Sequence, residues 1–126
     1  GPTGEPKKDA VSRTDGVDER MRDLRGRPVR KADEVVGAPV AAAVAALQPG
    51  EVLLLENTRF DPREEKNDPA FVASLAKLGD LYVNDAFATA HRAHASTEGL
   101  AHHLPAYAGR CMQEEIEALA HYLAHL

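Results

Sequence analysis

The chain has 126 residues, 44% of them apolar and 28% charged, which is ordinary globular composition rather than that of a disordered polyelectrolyte. A domain of this size buries roughly two-thirds of the surface its unfolded form exposes. The net charge of −5 argues against a broad basic face for nucleic acid or anionic membranes, no apolar run approaches the roughly 20 residues of a membrane span, and a lone Cys111 excludes a disulfide or cysteine-zinc scaffold.

No charged-then-apolar leader opens the chain, so a cytoplasmic location is the expectation. Residues 1–16 mix Gly, Pro, Lys and Asp without apolar periodicity and read as an irregular lead-in. Val17, Met21 and Leu24 recur at helical spacing and Gly26 follows before Pro28, so a short helix is predicted over Val17 to Arg25. Pro28 to Lys31 is a brief strand candidate. Pro39 to Leu47 is rich in Ala and Val, opens on a first-turn proline and stops at Pro49-Gly50, which predicts a helix packed closely on a sheet. Val52 to Leu55 is a continuous apolar run, the pattern of a strand buried on both faces.

Further along, Asn67-Asp68-Pro69 supplies a cap and a first-turn proline for a helix through Leu78, with Phe71, Leu75 and Leu78 on one stripe. Leu81 to Val83 is another strand, and a last helix runs from Met112 to His125 with Ile116, Leu119 and Leu123 on one face. Strand, helix, strand in that order implies a right-handed parallel crossover, and the pattern as a whole is α/β with a mostly parallel sheet.

Ligands bind at the carboxyl ends of parallel strands, where loops gather backbone donors. One clear strand leads into Glu56-Asn57-Thr58-Arg59-Phe60, and the other into Asn84-Asp85 and then His91-Arg92-Ala93-His94. If the two strands are neighbours, Arg59, His91, Arg92 and His94 form a cationic cluster suited to a small phosphate or carboxylate, since a guanidinium donates two parallel hydrogen bonds to an oxyanion. The competing reading pairs Arg59 and Arg92 with Asp85, Glu56 or Glu98 as ordinary loop salt bridges. Other chemistry is less well supported. His91 and His94 have no third metal ligand nearby, Ser96 lacks a nucleophile elbow, and no Gly-rich phosphate loop occurs. Cys111 reads as a small, semi-buried apolar residue, Glu64-Glu65 as a solvated pair, and His102, His103, His121 and His125 as surface decoration.

Leu53-Leu54-Leu55-Glu56-Asn57-Thr58-Arg59-Phe60 and Tyr82 through Ser96, with its His91-Arg92-Ala93-His94 core, resemble the signature segments of the phosphoglycerate kinase family. The resemblance continues through Glu64-Glu65-Lys66-Asn67-Asp68-Pro69, Leu104-Pro105-Ala106 and Met112 to Glu117, in the family's order and spacing over Arg27 to Leu119. It implies a Rossmann-like, three-layer α/β/α amino-terminal domain, incomplete here, with a substrate-binding part over 17–111 and a helix over 112–126 leading to a nucleotide domain. It also implies that Arg59 and Arg92 contact 3-phosphoglycerate or 1,3-bisphosphoglycerate, with His91 and His94 completing the basic patch. Mg-ATP or Mg-ADP would serve the full enzyme of glycolysis, at a site absent from this chain, where no cofactor is expected.

The departures are a missing first strand, a missing Ser-His-Leu-Gly-Arg-Pro loop whose tail survives as Gly1 to Pro6 (Gly1-Pro2 reads equally well as a cloning remnant), and Ala88 where the family has Gly, which questions any positive φ there. A fragment without activity of its own is therefore the expectation, with apolar surface and an unpaired sheet edge that invite self-association. Two other classes stay open: a stand-alone module that binds phosphorylated sugar acids or similar anions, and a truncated product that binds nothing.

Overall fold

The computed structural model describes residues 13–126; most of the expected lead-in, including Gly1 to Pro6, lies outside the described residues. The chain divides into two compact units, residues 1–64 and 65–126.

In the first unit, α1 (Val17–Arg25) ends where Gly26 turns left-handed at φ 62° and its N–H bonds Arg22 O at 2.9 Å, the αL cap that Gly permits without a Cβ penalty. The helix packs beside β1 (Val29–Lys31). β1 pairs in parallel with β2 (Val52–Leu54), Val29 opposite Val52 and Lys31 opposite Leu54. Parallel pairing requires a crossover, supplied by residues 32–51 and their helix α2 (Ala38–Ala45), with Pro39 in the first turn and Val40 fully buried. Val29, Val35 and Val40 form the core here, each contributing about 1.5–3 kcal/mol of burial. β2 is half-buried along its length rather than buried on both faces, as a strand with a single ladder partner would be.

The boundary between the units falls at the last residue of the one-turn helix α3 (Pro62–Glu65). Asp68 caps α4 (Pro69–Ala76) by accepting a hydrogen bond from Phe71 N at 2.9 Å, with Pro69 in the first turn. Phe71, Val72 and Leu75 are buried, on the face that meets the π-turn Ala95–Gly99 and helix α5 (Leu100–His103). Gly99 makes this approach feasible, because a Cβ there would lie 2.5 Å from Val72 Cγ2 and closer still to Asn67 Oδ1. β3 (Tyr82–Asn84) pairs in parallel with β4 (Ala106–Ala108), Tyr82 opposite Ala106 and Asn84 opposite Ala108. Helix α6 (Arg110–Ala124) follows, with Met112 buried and the remainder exposed.

The architecture is α/β with short parallel strands, and the main predicted helices and strands form within a few residues of their expected bounds. One expectation is corrected. The ladder partner of β2 is β1 and that of β3 is β4, so the apolar runs at 52–55 and 81–83 are not a hydrogen-bonded pair. The small Ala106-Tyr107-Ala108 strand that takes β3 as its partner carries no alternation to reveal it.

Candidate functional site

Glu56 lies two residues past the end of β2 and is 5% exposed. One carboxylate oxygen accepts from Thr14 N (2.8 Å), Thr14 Oγ1 (3.1 Å) and Asn57 N (2.8 Å), while the other faces Lys31 Nζ at 3.3 Å and Arg13 Nη2 at 3.5 Å. Burial pushes its pKa up, but donation from Asn57, Thr14 and Lys31 outweighs burial and holds the carboxyl below its ordinary value. Lys31, at the end of β1, also reaches Asp15 Oδ1 at 2.9 Å and Asp33 Oδ1 at 3.3 Å. Hydrogen bonds from Arg13 and then Lys31 lower Asp15 to about 2. The carboxyl ends of β1 and β2 are thus closed by a network of opposite charges.

Beside this network lies a cavity of about 330 Å³ lined by Arg13, Asp33, Glu34, Glu56, Asp61 and Arg63, among others. Arg63 is committed to Asp61 through two side-chain bonds of 3.0 and 2.7 Å, so acidic groups dominate the lining and the cavity is not an anion cradle.

Arg59 lies on a 3-10 turn, Thr58–Phe60, and is half-buried. The turn is set by Asn57, whose side chain accepts from Arg59 N at 3.0 Å while its carbonyl accepts from Phe60 N at 3.0 Å, the local bonding that favours Asn in turns.

In the second unit, β3 leads through a 3-10 turn, Phe87–Thr89, into His91 to His94. Ala88 sits inside that turn, and among the described non-glycine residues only Asn67 has a positive φ, so replacing Gly here demands no left-handed backbone. Arg92 N bonds Thr89 O at 3.1 Å and His94 N bonds Arg92 O at 3.0 Å. His91 and Arg92 are exposed and His94 is half-buried. The segment therefore gathers His91, Arg92 and His94 at the carboxyl end of β3, as Arg59 stands at the carboxyl end of β2.

The carboxylates named as alternative partners each make bonds of their own. Glu56 serves the network above. Glu98 bonds His102 and the Asn67 side chain, and these bonds lower its pKa. Asp85 Oδ1 accepts from Met112 N at 3.0 Å in the first turn of α6, and a Cβ on Gly109 would lie 2.6 Å from Asp85 Cβ. Two smaller expectations are corrected. Cys111 is exposed, not semi-buried, with its thiol pushed up by a hydrogen bond and charge from Asp85. Glu64 is 2% exposed while Glu65 is exposed, because the single turn of α3 directs Glu64 inward and its neighbours outward. Sequence reading treated Glu56 only as a salt-bridge candidate and did not single out Lys31 or Thr97. An acid directly after an apolar strand, and a Thr three residues after His94, were the available signals.

Among the described residues, no group of three or more His, Cys, Asp or Glu side chains could hold a metal ion, and no helix is long and apolar enough to cross a membrane. The family model for phosphoglycerate kinase matches residues 2–126. The chain is 62% identical over 117 residues to the phosphoglycerate kinase of Bradyrhizobium diazoefficiens, covering 92% of this chain and 29% of that protein. It is also 62% identical over 112 residues to that of Moorella thermoacetica, covering 89% and 28%. The crystal structure of phosphoglycerate kinase from Pyrococcus horikoshii superposes with a TM-score of 0.78 at 35% identity, over 86% of this chain and 28% of that one. The chain thus spans under a third of the length of these relatives.

Proposed function

This chain belongs to the phosphoglycerate kinase family, and we propose that it is the triose-phosphate-binding part of such an enzyme, with 3-phosphoglycerate or 1,3-bisphosphoglycerate as its ligand and Arg59, His91, Arg92 and His94 as the contacts. The observation that carries the reading is positional. Arg59 lies on the 3-10 turn in the segment that follows β2, and His91 to His94 come after the 3-10 turn in the segment that follows β3, so both basic groups belong to segments leaving the carboxyl end of a parallel strand, where α/β folds bind anions, on a chain whose net charge is −5. Phosphoryl transfer passes through a highly anionic transition state that needs positioning and charge stabilisation more than a covalent nucleophile, which suits Arg and His here. In this reading Mg-ATP or Mg-ADP is held outside this chain, and no turnover is expected from the chain alone. A cytoplasmic place and self-association through open strand edges belong to the same reading.

The test is an amide NMR titration with 3-phosphoglycerate. Saturable shifts confined to Arg59 and to His91 through His94 are expected, and Arg92→Ala should weaken binding about tenfold or more, the loss of a charged hydrogen bond of roughly 1.5–3 kcal/mol. A well-dispersed spectrum that ignores the ligand would refute binding by this chain.

A further inference from the structure

The backbone between Arg92 and His94 is tied to the turn that follows it by backbone bonds to His94 and by the Thr97 hydroxyl. Thr97, third residue of the π-turn Ala95–Gly99, directs Oγ1 to Arg92 O at 2.7 Å and receives His94 N at 3.2 Å on the same oxygen. His94 O in turn accepts from Thr97 N at 3.2 Å and Gly99 N at 3.1 Å. A hydroxyl carries one donor and two lone pairs, so donating to Arg92 O while accepting from His94 N uses both capacities at once. The π-turn is itself seated on α4, with Ala95 and Gly99 buried and Val72 filling the space a Gly99 side chain would need. The turn thus bonds, through Thr97, both ends of a three-residue segment in which Arg92 is exposed and the half-buried His94 ring accepts from Thr97 N.

We propose that Thr97 is a positioning residue for anion binding: its hydroxyl fixes the backbone from which Arg92 and His94 project, so the two side chains reach the ligand without first ordering the loop. This rests on the functional reading above. Ordering a mobile segment on binding weakens affinity, and a segment ordered in advance avoids that loss. Valine has nearly the shape of threonine without its hydroxyl, and serine keeps the hydroxyl without the methyl, so the pair separates hydrogen bonding from packing.

The experiment compares wild type, Thr97→Val and Thr97→Ser by amide hydrogen exchange and by titration with sodium 3-phosphoglycerate. Thr97→Val leaves the His94 amide only its bond to Arg92 O and should speed its exchange about threefold or more and raise the dissociation constant about three- to tenfold, while exchange in α4 stays unchanged; Thr97→Ser should restore both values toward wild type. Unchanged His94 exchange in Thr97→Val overturns the proposal, as does a loss of affinity that serine fails to restore. If the wild-type chain shows no binding, the functional reading falls instead, and faster His94 exchange in valine with recovery in serine would still uphold the backbone clamp.

Discussion

Glu56 shows how a single side chain can set the acid response of its surroundings. Its folded pKa and that of Asp15 both lie below their ordinary values, Asp15 at about 2. A depressed folded pKa contributes stability that is fully present above the unfolded value and is lost as pH falls through the folded one. The first unit should therefore hold its stability down to the ordinary carboxylate values of 4.5 and 3.8 for Glu56 and Asp15 and lose it progressively toward about 2. Glu56→Ala leaves Lys31 half-enclosed beside unpaired donors and should cost about 3 kcal/mol at neutral pH, the scale for breaking a buried pair. Urea unfolding followed across this pH range checks both statements: the variant should start lower and fall less steeply on acidification, and parallel curves would show that Glu56 does not carry the effect. Arg59, His91, Arg92 and His94 were legible as candidates because charged side chains after apolar strands stand out. Glu56 was not, because burial of an acid depends on where Thr14 and Lys31 arrive, and sequence spacing does not report that.

At the scale of elements, end signals were more informative than apolar content. Gly26 closes α1 and Asp68-Pro69 opens α4 where the residue types predict. The π-turn, α5 and β4 escaped notice because four- and three-residue pieces have no period to read, and partner choice among short parallel strands is decided by crossovers rather than by strand composition. Gly99 gives a sharp test of how α4 and the π-turn meet. Gly99→Ala forces Val72 and Asn67 aside and should cost about 1–3 kcal/mol, the usual penalty of an overpacked contact. Thermal melting should place Gly99→Ala well below wild type and the double variant with Val72→Ala nearer to the sum than to either rescue or neutrality only if the clash lies elsewhere. Partial recovery of the alanine variant on trimming Val72 is the expected result.

On the scale of the whole molecule, each ladder has two strands among the described residues, and several large apolar side chains face solvent. Val83 and its register partner Tyr107 are 51% and 61% exposed, and Ile116, Leu119 and Leu123 are exposed on α6. Open strand edges beside apolar surface favour association. Light scattering should give a mass that rises with concentration, and Val83→Lys should reduce the rise; a mass fixed at the monomer value would dismiss association. The α/β class was readable from alternating strand and helix patterns. The separate ladders were not, since the sequence does not state which strands pair.

Both ladders close over a crossover that stays within its own unit, residues 32–51 for one and 85–105 for the other. Parallel pairing usually folds slowly because distant segments must meet first, and short sequence separations relieve that delay. Each ladder therefore needs only its own half of the chain to form, so a chain lengthening from its amino terminus holds every partner of the first ladder before the second is complete.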